Sequence, residues 1–249
     1  MKSFSKIFVI ISVVLISGTS YPQDNEMFSP SSTNIVKHAF YSLMYNEQHE
    51  QPSWVTYMLC RKRLNGPYNR TNDYRADPEV ATGSASPADY ASSGYDQGHM
   101  APAEDFSFDS TAEEESFYMS NMSPQLGSCN RGIWKRLENE VRRWAKKYDT
   151  LYITAGPIFT DNLMTIGQDH VSVPNFFYKV ILNKSGNTYK GIGFIIPNKK
   201  EQTKIKNFVV PIRFIESLTA IDFFPELQDS IENNIEENLN TSQWEFHDN

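Results

Sequence analysis

The sequence predicts an α+β fold: a layered sheet, antiparallel or mixed, with helices packed on it. Three observations predict it. Segments 54–60, 151–159, 176–182 and 189–196 are rich in β-branched and aromatic residues and have strand lengths. Segment 131–147 instead places Ile133, Trp134, Leu137, Val141, Trp144 and Ala145 at helical spacing, which buries one face. Strands and helices are also interspersed without the regular βαβ rhythm of a parallel sheet.

Taken in order, the chain opens with Lys2 and Lys6, a nearly unbroken apolar run from Ile7 to Ile16, and small residues at Ser17–Ser20. The run is too short to span a bilayer comfortably, so residues 1–20 read as a secretory signal and the mature protein as secreted or periplasmic. Residues 21–49 are a polar lead-in, with 24–50 loosely packed, and the main domain runs over 50–240. Within it, Trp54–Cys60 is the first strong strand, and 65–94 is a loop broken by Gly66, Pro67, Pro78, Gly83, Pro87 and Gly94. From Pro225 onward Leu227, Ile231, Ile235 and Leu239 recur at intervals of four, an amphipathic helix with an acidic outer face. Residues 241–249 read as a tail.

The formal charge is −7, about −9 once Lys2 and Lys6 leave with the signal. That excludes a general nucleic-acid coat protein, which would be basic. The charge is uneven, however. Segment 131–147 holds seven Lys and Arg against Glu138 and Glu140, while no Lys or Arg follows Arg213. A basic helix on an acidic body can attract phosphate, although a solvated charged face has the same composition. No other stretch is apolar enough to cross a membrane, and stable membrane association is not expected. Cys60 and Cys129 could pair in an oxidising compartment, or Cys60 could be a lone thiol. No phosphate-cradling Gly-rich loop, nucleophile elbow or Cys-x-x-Cys pair is present.

The chemistry concentrates between Tyr95 and Arg142. His99, in Tyr-Asp-Gln-Gly-His-Met-Ala-Pro, can take a proton from water near neutral pH. Asn130, at the head of the helix, suits either an N-cap or a neutral oxygen ligand to Mg²⁺, an ion that keeps most of its waters. Glu138 lies eight residues on, about 12 Å along an ideal helix axis, too far to share an ion directly but able to hold its water. Arg142 shares the Glu138 face at i,i+4; it forms either a routine ion pair or a cation for a charged transition state.

These residues stand in ordered motifs: Asp96-x-Gly98-His99-x-x-Pro102, Ser120-Asn121-x-x-Pro124-Gln125 and Asn130-x-x-x-Trp134-x-x-Leu137-Glu138-x-x-x-Arg142. Supporting segments are Thr154-x-Gly156-Pro157, Val173-Pro174, Tyr178-Lys179-Val180 and Asp222-Phe223-Phe224-Pro225. Over roughly residues 50–225 the chain resembles the DNA/RNA non-specific endonucleases of the ββα-metal (His-Me finger) superfamily. The resemblance implies a ββα-metal finger on an antiparallel sheet, Mg²⁺ with Mn²⁺ as a possible substitute, DNA and RNA as substrates, and 5′-phosphate products. It implies His99 as general base, Asn130 as the direct protein ligand of the ion, Glu138 as organiser of the ion's waters and Arg142 as a phosphate contact. Asn121, Gln125 and Gln97 fall at supporting or substrate-binding positions. Arg70 matches an upstream phosphate-contacting arginine, with Arg75 as its rival. Gln97 stands where the family usually has Arg, which implies weaker activity or, alternatively, a homologue that binds without cleaving. Oligomeric state stays open.

Overall fold

The computed structural model describes residues 28–239 and 241–247, so the export signal read at 1–20 lies outside the described residues. β1 (Val36–Lys37), β2 (Tyr41–Asn46) and β3 (Gln51–Cys60) form a meander. A long loop with the one-turn helix α1 (Pro87–Tyr90) leads to β4 (Tyr95–His99). Next come α2 (Ser110–Glu115), β5 (Met122–Leu126), a π-helical turn at Cys129–Trp134, and α3 (Lys135–Tyr148), which continues from it. β6 (Thr150–Ile158), the short β7 (Thr165–Ile166) and β8 (Val171–Ser172), and the long hairpin of β9 (Phe176–Ser185) and β10 (Thr188–Pro197) follow. β11 (Val209–Val210), α4 (Ile212–Thr219) and α5 (Asp229–Glu237) complete the order.

Seven strands form one sheet in the order β1-β2-β3-β6-β9-β10-β11, every neighbour antiparallel. Both faces are covered, so the central strands are apolar on both sides. On β9, Phe177 and Ile181 join the cluster that packs against Ile133, Trp134, Leu137, Val141 and Trp144 of the π turn and α3. Tyr178, Val180 and Leu182 alternate to the opposite face and meet Ile212 and Ile215 of α4 and Ile235 of α5. The molecule is thus three layers, with α3 the long helix on one side, joined there by Ala112 of α2 and Phe106. β4 and β5 form a separate two-stranded ribbon beside α3.

Four expectations are corrected or decided by the structure. Over residues 28–49 the lead-in is not loose: Tyr41 and Leu43 are fully buried and β2 pairs with β3. Its apolar pattern is only a few residues long beside a polar turn, too short to stand out by composition. The tail is not free either. Trp244 is buried, 4.7 Å from the Trp144 ring, and Trp144 Nε1 donates to Glu245 O at 2.6 Å. Leu239 leaves the apolar stripe because α5 ends at Glu237, and it is exposed. Cys60 and Cys129 are both free thiols, the second fully buried.

Trp244→Ala is expected to cost about 3 kcal/mol of stability, and Leu239→Ser less than about 0.5 kcal/mol. Urea unfolding of both variants checks this, and equal midpoints would remove residues 241–247 from the core.

Candidate active site

His99 is the last residue of β4, and the chain must leave the ribbon there through the interior. Each polar backbone group of that exit has a partner. Trp134 Nε1 donates to His99 O at 3.1 Å, and Lys179 Nζ to Met100 O at 3.3 Å. Met100 N donates to Asn121 O at 3.0 Å. The Asn121 side chain takes both groups of the next residue: Oδ1 accepts from Ala101 N at 2.9 Å and Nδ2 donates to Ala101 O at 2.8 Å. Gly98 leaves room for Gln125 of β5: a Cβ there would fall 2.3 Å from the Gln125 side chain, which would have to move.

Asn130 sits inside the π turn, where Gly132 departs from helical angles (φ −107°, ψ −110°). It is not an N-cap. Its Nδ2 donates to Asp96 Oδ2 of β4 at 2.9 Å, and Arg131 pairs with the same oxygen. Asp96 therefore ties the turn to the ribbon, which completes a ββα unit. With the amide nitrogen committed, the amide oxygen is the group Asn130 can offer to the space in front of it.

That space is a cavity of about 620 Å³, and His99, Asn130, Glu138, Arg70, Gln97 and Lys135 are among the residues that line it. His99 is only 6% exposed, between Phe117 (edge-on, 5.1 Å) and Tyr74 (5.8 Å), and its Nε2 is buried with no hydrogen-bond partner. Burial, helped by the Arg70 charge, pushes its pKa down to about 3, so the ring is neutral at physiological pH. Burial pushes Glu138 up to about 7, against the opposing pull of Lys179 and Arg142. Arg70 is held by Asn72 Oδ1 at 2.6 Å and Tyr74 Oη at 2.8 Å, stacked 4.9 Å from the Phe117 ring. Neither partner is a carboxylate, so its charge stays available to an anion. Among the described residues no group of three or more His, Cys, Asp or Glu could enclose a metal. The fitting arrangement is one amide oxygen and a nearby carboxylate around a hard, largely hydrated ion.

The structure brings His99, Asn130, Glu138, Arg70 and Gln97 together, and it leaves three of the expected site residues outside. Arg142 does not line the cavity. Its guanidinium contacts Asp105 Oδ1 (2.8 Å), Glu104 Oε2 (3.0 Å) and Asn139 Oδ1 (2.7 Å), so it is spent on carboxylates rather than on phosphate. Asn121 is fully buried and can position the chain after His99 but cannot touch substrate. Gln125 is buried too, packed on Gly98. Arg75, the rival of Arg70, turns away to Asp73 and the Tyr118 ring.

Sequence reasoning missed Asp96 as the anchor of Asn130, Lys135 on the rim, and Trp134 and Lys179 beneath His99. Trp134 carried a usable signal, since a buried indole N–H needs an acceptor. Lys179 carried another: a lysine within a strand buried on both faces.

The comparisons with known proteins agree with this geometry. A family model described as DNA/RNA non-specific endonuclease matches residues 23–230. Nuclease C1 of Cunninghamella echinulata var. echinulata is 37% identical over 204 residues, covering 75% of this chain and 81% of that protein. Mitochondrial endonuclease G of Homo sapiens is 32% identical over 213 residues, covering 80% of this chain and 72% of that protein. A crystal structure of an EndoG/EndoGI complex matches with a TM-score of 0.75 at 31% identity, over 81% of this chain and 90% of that one. The matched region contains the ββα unit and the sheet behind it, and on that evidence the chain belongs to the DNA/RNA non-specific endonuclease family and is a phosphodiester-cleaving enzyme.

Proposed function

We propose that the protein is an exported, Mg²⁺-dependent endonuclease that cuts DNA and RNA without sequence specificity and leaves 5′-phosphate ends. The observation that carries this reading is the unpartnered Nε2 of His99, buried at the wall of a cavity that Asn130 and Glu138 also line. A neutral imidazole with a free ring nitrogen can accept the proton of a water as that water attacks phosphorus. Asn130 would hold the ion through its amide oxygen, and Glu138 would order the waters around it. When bound, a divalent cation supplies charge stabilisation at the phosphate oxygens and the leaving oxygen. Arg70 would orient the phosphate through its uncommitted charge. The basic start followed by an apolar run at the N-terminus supports export to the periplasm or the medium.

Gln97 lines the cavity as a neutral group where a cation would strengthen phosphate binding. It favours a slower enzyme, or in the second reading one that binds nucleic acid without cutting it.

Plasmid nicking by the mature protein is expected with Mg²⁺, to vanish in EDTA, and to fall by roughly 10²–10⁴ in His99→Ala with DNA binding retained. A folded wild type that binds but never nicks in Mg²⁺ or Mn²⁺ would favour the second reading. Gln97→Arg should then restore cleavage.

Glu138 is held at a cost. Its raised pKa makes the ionised form the expensive one in the fold. Stability therefore declines as pH rises from the ordinary glutamate value of 4.5 to about 7, and the loss is complete above that. Glu138→Gln, measured in EDTA, is expected to gain about 1–2 kcal/mol at pH 8, a few degrees of Tm, and nothing at pH 4. The same variant should lose most nicking activity. A variant no more stable than wild type at pH 8 would contradict the burial argument.

A further inference from the structure

Lys179 occupies a place where a lysine is expensive. It lies in β9 opposite Ala155 of β6 and Phe194 of β10, and it shares a face with Phe177 and Ile181. All five residues are fully buried. A buried ammonium without compensation costs several kcal/mol, and an aliphatic residue would fill the row more cheaply. The ammonium is nevertheless kept, and its contacts all lead to the site. It donates to Met100 O at 3.3 Å, one residue past the base. It lies 4.7 Å from the ring centroid of Trp134, whose own N–H holds His99 O. Glu138 and Asp105 are its stabilising charges.

We propose that Lys179 is a positioning residue for the cleavage reaction. It fixes the backbone exit that orients His99, and it supplies the positive charge behind Glu138, without touching substrate. This rests on the function proposed above. The charged groups facing the pair are Glu138 and Arg142 from α3, Asp105 and Glu104 from the segment after His99, and Lys179 itself from β9. Within that set Lys179 and Arg142 are the cations, and Arg142 is already committed to Asp105 and Glu104. Removing the Lys179 charge takes away one of the two cations that favour ionised Glu138, so it holds its proton to higher pH.

The test compares wild type, Lys179→Met and Lys179→Gln in Mg²⁺ nicking assays across pH, with thermal melts to establish folding. Lys179→Met is expected to lower kcat roughly 10–100-fold, with KM changed less than about threefold. The acid limb of its rate profile should move up by about one pH unit, a shift that a purely structural residue would not produce. Lys179→Gln keeps an N–H for Met100 without the charge. It should recover part of kcat while the limb stays displaced, and it carries the same readout should Lys179→Met fail to fold. Folded variants with wild-type kcat and an unmoved limb would reduce Lys179 to a core residue. Absence of cleavage by the wild type would instead defeat the proposed function itself.

Discussion

Where β4 ends, consecutive peptide groups leave the ribbon in a dry place, and a dry peptide group must find a partner. The partners come from three directions: Trp134 at the head of α3, Lys179 in the central sheet, and Asn121 just before β5. The ring of His99 is therefore located jointly by α3, β9 and the turn before β5, and no single loop decides its position. The three-layer packing follows from the same requirement. α3 must lie close enough to the sheet for Trp134 and Lys179 to reach adjacent carbonyls, and its apolar stripe against β6 and β9 keeps it there.

Between α3 and the sheet lies a cluster of charges that stability alone would not select. Asp105 accepts from Tyr57 Oη at 3.0 Å and from Arg142, and Lys179 lies near enough to influence both Asp105 and Glu138. Buried ion clusters are seldom better than apolar packing, but they are intolerant of misplacement. Here the intolerance has a use, since Glu138 of this cluster lines the cavity together with His99. The protein carries polarity in its interior so that one carboxylate and one imidazole keep a set relation.

Much of this was legible in the chain. The long strands and the α3 helix stood out because composition and period agree over many residues. His99, Asn130, Glu138 and Arg70 were legible because they stand in ordered motifs. The illegible parts share one cause: they depend on who meets whom across the fold. Arg142 reads as a phosphate contact until Asp105 arrives from another segment to occupy it. Asn130 reads equally well as a helix cap until the π turn rotates it toward Asp96. β2 and Trp244 are too short or too isolated to show a pattern, and only their partners in the core reveal them as buried.

The sheet is long in its middle and short at its sides. β9 and β10 run ten residues each, whereas β1 and β11, which close the two borders, run two. A border strand is a row of unpaired peptide groups on which another chain can template itself. Two residues offer such a chain almost nothing to copy. At those two borders a second copy of the chain finds little strand on which to extend the sheet.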